Sequence, residues 1–464
     1  MASTWGLGLR LAPLALFAML AALLVGASRG EAAAPRVAPD FYGTSITSAG
    51  LNPDVRERNL GKIEALGISE LRFLLPWYDI EPAPPGAGGR VYHWSRFDEQ
   101  IAAMARHRLR PQPIIGLTPS WAAESRWVAE NCALNYQPSA RPYDLAAFKD
   151  MARAVARRYG RRGTFWQQNP TLPAKPVREY EVWNEPNIAP YWCPAPQPEI
   201  YGTFFHGASQ EIRSVDPQAE LIVGGMPDTR SYPDPALAIQ PKDFLRRMVG
   251  AVPATRDEIS AVGIHAFMLM PIEQQLEYVA FFREQLRSAG LSDSVPMQIN
   301  EFGWTTRGSF GFPEAQRTER YRRFAAEAMR TNCNVEGIHS HTWVSLEQQE
   351  GEPDQWYGIS NAATGNPYSS AEAYSHSIKL MRGRLAAEPP RDTFYLCPGM
   401  PAPDQDADGV RDELDDFPLD PTQTGDPQEP PVEEPPAEEP PSAGGGSGGG
   451  GGQDLIQWLL DQLF

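Results

Sequence analysis

Between about Phe41 and Leu385, short apolar and β-branched runs alternate with longer stretches whose apolar residues return every three or four positions. That alternation predicts strands of a parallel sheet, each followed by a helix packed against it. Strands are expected at Phe41 to Ile46, Glu70 to Leu75, Gln112 to Leu117, Glu179 to Trp183, Leu221 to Gly225, Ala261 to Phe267, Met297 to Glu301 and Gly337 to Trp343. Helices are expected at Asp54 to Leu66, Arg96 to Arg106, Asp144 to Tyr159, Glu199 to Ser214, Phe244 to Gly250, Glu273 to Ala289, Glu314 to Thr331 and Ala371 to Arg384. Eight of each close a barrel, so the expected fold class is α/β, a (β/α)8 TIM barrel spanning residues 35–400.

The pattern differs at both ends. Met1 to Arg10 carries one positive charge, Leu11 to Val25 is apolar, and small residues follow. This is the layout of a signal peptide, here residues 1–34, and the apolar run is short for a span of about 20 residues. The expected location is therefore secreted or periplasmic. Beyond the last helix come an Asp-rich stretch (401–426), a Pro/Glu and then Gly/Ser linker (427–452), and a short amphipathic segment (453–464). Leu455, Ile456, Trp458, Leu459, Leu460, Leu463 and Phe464 would share that last segment's apolar surface, which suits docking on a protein partner or a surface.

Charge changes the picture only once it is divided. The chain carries a formal −17, but residues 401–464 hold sixteen acids and one arginine, a net −15, which leaves −2 for the body. A near-neutral body lacks the clustered Lys and Arg of a nucleic-acid footprint, so no nucleic-acid partner is expected. Cys132, Cys193, Cys333 and Cys397 do not have zinc-site spacing and allow three disulfide pairings. Cys132 and Cys193 fall in loops after consecutive predicted strands, which favours that pair and leaves Cys333 with Cys397.

In such a barrel the reacting side chains gather at the C-terminal ends of the strands. Two glutamates lie there: Glu185 in Glu181-Val182-Trp183-Asn184-Glu185-Pro186-Asn187, and Glu301 in Gln298-Ile299-Asn300-Glu301-Phe302-Gly303-Trp304. A lone glutamate at a strand end is most often solvated or salt-bridged. A pair about 5 Å apart is what glycoside hydrolysis with retention needs, one carboxyl protonating the leaving oxygen and the other attacking the anomeric carbon.

Trp183-Asn184-Glu185-Pro186 at the fourth strand, with Asn300-Glu301-Phe302-Gly303 at the seventh, resembles the clan A glycoside hydrolases. The resemblance spans roughly residues 41–385. It implies Glu185 as acid/base, Glu301 as nucleophile and Asn184 as a ligand of the sugar 2-hydroxyl, with Arg72 and Trp343 at further positions that the clan uses. Pro119-Ser120-Trp121 and His265 look most like family 39, the xylosidase and iduronidase relatives, and make Trp121 and His265 candidate substrate contacts. One departure stands out. Where that family often has His-x-Tyr on the sixth strand, this chain reads His265-Ala266-Phe267 and lacks a phenol to hold the nucleophile. Arg72 is a candidate replacement, since a nearby guanidinium keeps a carboxylate ionised.

His339 and His341 share a face with Trp343, but neither is taken as a site residue. Trp77, Trp121, Trp127, Trp183, Trp192, Trp304, Trp343 and Trp356, with Tyr78, Tyr191 and Tyr357, end or follow predicted strands, where aromatic faces either stack on sugars or simply pack.

In the tail, Asp404, Asp406, Asp408, Val410, Asp412 and Asp415, with Gly409 between, follow calcium-loop spacing. The stretch resembles one thrombospondin type 3 repeat. That resemblance implies Ca2+ in the C-terminal repeat; no cofactor is expected for catalysis. The expected activity is a retaining glycosidase acting on a β-linked polysaccharide or oligosaccharide; the competing reading is a non-catalytic carbohydrate-binding envelope protein.

Overall fold

The computed structural model describes residues 40–403 apart from 126–131, 135–136, 231, 233, 235, 350, 388–389 and 391. The expected signal peptide, calcium loop, linker and terminal segment lie outside the described residues, as does Trp127.

Eight parallel strands close a barrel: β1 Tyr42–Ile46, β2 Glu70–Pro76, β3 Arg110–Gly116, β4 Glu179–Val182, β5 Glu220–Pro227, β6 Ala261–Ala266, β7 Met297–Phe302 and β8 Val335–Ser340. The ring closes through β1 on β8. Around it run α1 Pro53–Ala65, α2 Ser95–Arg106, α3 Leu145–Tyr159, α4 Pro198–Val215, α5 Pro241–Ala251, α6 Gln275–Ser288, α7 Glu314–Glu327 and α8 Ser369–Met381. The chain is thus a (β/α)8 barrel. Caps set several helix starts. The Asn52 side chain accepts from the Asp54 amide with Pro53 at the first position, and Asp144 accepts from the Ala147 amide. Helix α5 begins three residues before the expected Phe244 because Pro241 takes that same first position. The helix expected to reach Thr331 stops as α-helix at Glu327 and tightens into a 3-10 turn over Ala328–Arg330.

Strand alternation puts two kinds of residue on the two faces of the barrel wall. Leu71, Phe73 and Leu75 of β2 are buried beneath the helices, in one core with Tyr321, Phe324 and Tyr374. The barrel interior, by contrast, is polar: Glu70, Arg72, Gln112, Glu179, Glu181, His265, Gln298, Asn300 and His339 are all buried. Glycines make room for the larger of these. A Cβ on Gly225 would sit 2.0 Å from His265 Nε2, one on Gly43 2.0 Å from His339, and one on Gly263 2.5 Å from Asn300.

Cys132 pairs with Cys193 and Cys333 with Cys397, the favoured pairing. The first bond ties the loop after β3 to the loop after β4; the second anchors the chain beyond α8 to the entry of β8. Among the described residues no helix is long and apolar enough to cross a membrane.

Candidate active site

Trp183 and Glu185 both adopt positive φ, +72° and +44°, so β4 ends at Val182, one residue earlier than the sequence pattern indicates. Such backbone is costly for residues with a side chain and concentrates at functional sites. Neighbouring strands stabilise it: the Trp183 amide donates to Ile115 O and the Glu185 amide to Gly225 O. On the opposite wall β7 holds one residue more than its neighbours require, because Gly263 and His265 of β6 pair with Gln298 and Glu301, and Ile338 and Ser340 of β8 pair with Ile299 and Phe302. This bulge falls at Asn300 and Glu301 and brings the carboxylate to the mouth of the barrel.

The two glutamates meet around Arg72. Its Nε and Nη2 donate to Glu181 Oε2 and Oε1 at 2.6 and 2.8 Å, Nη2 also donates to Asn184 Oδ1 at 2.8 Å, and Nη1 donates to Glu301 Oε1 at 2.5 Å. Glu301 Oε2 faces His341 Nδ1 at 3.2 Å and His265 Nδ1 at 3.6 Å. His265 Nδ1 lies 2.5 Å from Glu185 Oε1, and its Nε2 lies 3.3 Å from Arg72 Nη2. His265 thus bridges the guanidinium and the Glu185 carboxyl through its two ring nitrogens. Glu185 Oε2 is thereby left as the carboxyl oxygen not held by the histidine. A carboxylate oxygen of Glu185 and one of Glu301 lie within 4.8 Å of each other.

Equal burial has opposite outcomes at the two groups. At Glu185 desolvation dominates and raises the pKa, with Glu301 adding to it and His265 only partly opposing it. At Glu301 desolvation is again the largest contribution, but His265, His341 and Arg72 together overcome it and bring the group down to about 2. The two neighbouring carboxyls are thus pushed in opposite directions. A third, Asp354, sits in the 3-10 turn after β8, whose Pro353 carbonyl accepts from Thr305 Oγ1 at 2.8 Å. It keeps solvent access, yet burial of its carboxyl, then Glu185 and Glu301, push it up to about 7. The same three carboxylates, after burial, hold the Tyr191 phenol protonated and able to donate.

The barrel has the fold of solved glycoside hydrolases. A β-xylosidase from Caulobacter crescentus CB15 superposes with a TM-score of 0.54 at 18% identity, over 74% of this chain and 69% of that one. A GH39 enzyme from Xanthomonas axonopodis pv. citri gives 0.55 at 19%, over 75% and 68%. The exo-β-1,4-mannosidase Op5Man5 from Opitutaceae bacterium strain TAV5 gives 0.53 at 16%, over 77% and 63%. No family model and no curated protein matches the chain.

The structure brings Glu185, Glu301, Asn184, Arg72 and His265 into one cluster. Trp121 and Trp343 lie elsewhere in their surroundings: Trp121 donates its indole N–H to Glu81 O and sets its ring edge-on to Trp77, while Trp343 is fully buried in the core. Trp77, Trp183, Trp192 and Trp304 are likewise packed away. Sequence reasoning passed over Glu181, His341 and Asp354. Phe267 stands where the related enzymes often have a phenol, with its ring against His341 and Tyr357, and His341 Nδ1 approaches Glu301 Oε2 to 3.2 Å. The alternation that gave His341 a shared face with Trp343 was the available signal, and Glu181 is two residues from Trp183 in the same motif.

Proposed function

We propose that the chain is an exported retaining glycoside hydrolase that cleaves a β-linked polysaccharide or oligosaccharide by double displacement. The observation that carries this reading is a pair of carboxyls with an oxygen of each within 4.8 Å, the pKa of one raised and that of the other lowered. Retaining enzymes place the two groups about 5–5.5 Å apart, whereas inverting ones leave about 6.5–9.5 Å for a water.

In the first step Glu301 attacks C1, the C1–O bond breaks, and the Glu185 proton passes to the departing oxygen. Arg72 keeps the nucleophile ionised and aimed, and Asn184, fixed through its Oδ1 on Arg72, turns its amide nitrogen toward the sugar 2-hydroxyl. In the second step Glu185, now a carboxylate, takes a proton from water as the water oxygen attacks C1 and releases Glu301. Loss of the negative charge on Glu301 in the glycosyl-enzyme lowers the pKa of Glu185, which suits its change from acid to base. That structural neighbours are a β-xylosidase and an exo-β-1,4-mannosidase supports a carbohydrate substrate. The Asp404 to Asp415 loop belongs to the same proposal as a Ca2+ site outside the catalytic barrel, and the final segment as a docking element.

The decisive experiment is intact-protein mass after incubation with a panel of 2-deoxy-2-fluoro glycosyl fluorides, followed by peptide mapping. A glycosyl adduct on Glu301 is expected. An adduct on another residue, or turnover with inversion of the anomeric centre, rules the assignment out.

A further inference from the structure

Glu185, His265 and Glu301 also have the makeup of a metal-ligand set, an imidazole between two carboxyls. One oxygen of each glutamate and one ring nitrogen of the histidine all lie within 4.8 Å of one another. Among the described residues no other three histidines, cysteines or acids come so close. All three are buried, yet the Glu185 and Glu301 side chains keep 11% and 10% of their surface, so an ion can reach them from the mouth of the barrel.

Zn2+ held tetrahedrally at about 2.0–2.2 Å sets its ligand atoms about 3.3–3.6 Å apart. His265 Nδ1 and Glu301 Oε2 already stand 3.6 Å apart. Glu185 Oε1, 2.5 Å from the same nitrogen, would have to swing away from the histidine toward Glu301. The ion then takes the place of the hydrogen bond between Glu185 and His265 and needs no cavity of its own. Charge favours it too. Glu181, Glu185 and Glu301 as carboxylates set three negative charges against the single positive charge of Arg72, and a divalent cation balances them. Arg72 engages Glu301 through Oε1, which leaves Oε2 for the ion.

A second observation lies behind the histidine. An imidazole bound to metal through one nitrogen donates from the other, commonly to a carbonyl or carboxylate. Asn300 is fully buried, and neither atom of its amide has a hydrogen-bond partner among the described residues. His265 Nε2 and Asn300 Oδ1 lie 2.0 and 2.7 Å from the point where a Cβ on Gly225 would stand, so they crowd the same spot. A slight turn of the ring would give the Nε2–H to this orphaned carbonyl and away from Arg72 Nη2, 3.3 Å off.

We propose that Glu185, His265 and Glu301 form a Zn2+ site, completed by water, whose occupation reversibly stops hydrolysis. The inhibition rests on the hydrolase reading; the binding does not. With the ion in place Glu301 has Oε1 on Arg72 and Oε2 on zinc, so neither oxygen can attack C1, and Glu185 has no proton for the leaving oxygen. The imidazole selects Zn2+ over Mg2+ and Ca2+, hard cations that prefer oxygen ligands.

The test titrates Zn2+ into the chelator-treated full chain against a chromophoric competitor, with excess Ca2+ present so that the acidic tail does not count. One Zn2+ per chain is expected, held about tenfold or more weakly in Glu185→Gln and in Glu301→Gln. Asp354→Asn, which removes a nearby charge but no ligand, should keep the parent affinity. In the parent, saturating Zn2+ should prevent the labelling of Glu301 by 2-deoxy-2-fluoro glycosyl fluorides, and a chelator should restore it. No Zn2+ held beside Ca2+, an affinity that both Gln variants retain, or an equal loss in Asp354→Asn overturns the site. Labelling that continues at saturating Zn2+ overturns the inhibition. Binding lost in both Gln variants and kept in Asp354→Asn upholds the site even if the protein cleaves no saccharide, an outcome that sinks the hydrolase reading alone.

Discussion

At the C-terminal end of the strands Glu181 and Glu301 share the guanidinium of Arg72, whereas at the N-terminal end Glu70, Glu179 and Glu336 meet glutamines and a histidine. Gln112 and Gln298 donate to Glu179 at 2.9 and 2.6 Å, and Gln298 also donates to Glu336 at 3.0 Å. His339 lies 3.3 Å from Glu70, and burial and the Arg72 charge hold it near 3, so it brings no positive charge. No guanidinium hydrogen-bonds to these three acids among the described residues. The result is a reversal within one barrel. Glu301 is brought to about 2, while burial, reinforced by neighbouring acids, raises Glu70 and Glu179, and Glu336 beside them, though its residue is exposed, is raised too. Burial is common to both ends, so what decides the charge state is whether a cation is built in beside the acid.

Removing the nucleophile tests the rim most severely. Glu301→Gln is expected to lower kcat by about 10^4-fold or more while leaving the thermal unfolding transition in place. Activity within tenfold of the parent would remove Glu301 from the mechanism. Arg72→Met attacks the difference between the two ends directly. It strands Glu181 and Glu301 in the interior, for an expected loss of about 3–5 kcal/mol in denaturant unfolding and a rise in the Glu301 pKa. A variant as stable as the parent would mean that the rim acids do not need the guanidinium.

The floor responds in the opposite sense. With the folded pKa of Glu70 above its unfolded value, the favourable contribution is complete below the unfolded pKa and is lost as pH rises toward the folded one. A difference of one pH unit corresponds to about 1.4 kcal/mol. Glu70→Gln should therefore raise the melting temperature at pH 8 and flatten its decline between pH 5 and 8; an unchanged decline would place the pH sensitivity elsewhere. The smallest effect is expected at Asp354. Glu185 repels its charge, and since that repulsion is mutual, Asp354→Asn should move the alkaline limb of the kcat/KM profile to lower pH by less than one unit. A shift to higher pH would show that Asp354 acts on Glu185 through something other than charge.

The rim and floor were unequally legible in the sequence. The alternation of apolar runs exposes the outward face of every strand, so the barrel and the order of its elements could be read, as could the Glu185 and Glu301 motifs at strand ends. The polar interior is a matter of which charges face one another across strands far apart in sequence. Arg72 and Glu181 are separated by 109 residues and Gln112 and Gln298 by 186, and no local pattern relates them. Strand ends were missed for a different reason. Leu117 and Trp183 are apolar and read as strand, but each adopts positive φ, a property set by the turn that follows. The bulge that brings Glu301 forward is invisible for the same reason, since it is defined only against β6 and β8. Trp343 shows the limit for aromatic residues: a ring at a strand end reads alike whether it meets sugar or core.

The glycines inside the barrel extend this dependence between strands to the history of the sequence. Gly225 with His265, Gly43 with His339 and Gly263 with Asn300 each divide one fixed volume between two strands. Enlarging the glycine alone collides with the ring or amide, and shrinking the partner alone opens a void at the polar centre. Neutral drift at these sites therefore proceeds by paired exchange. Among relatives too divergent to align by motif, coordinated changes at these three couples are the footprint by which descent from this interior would be recognised.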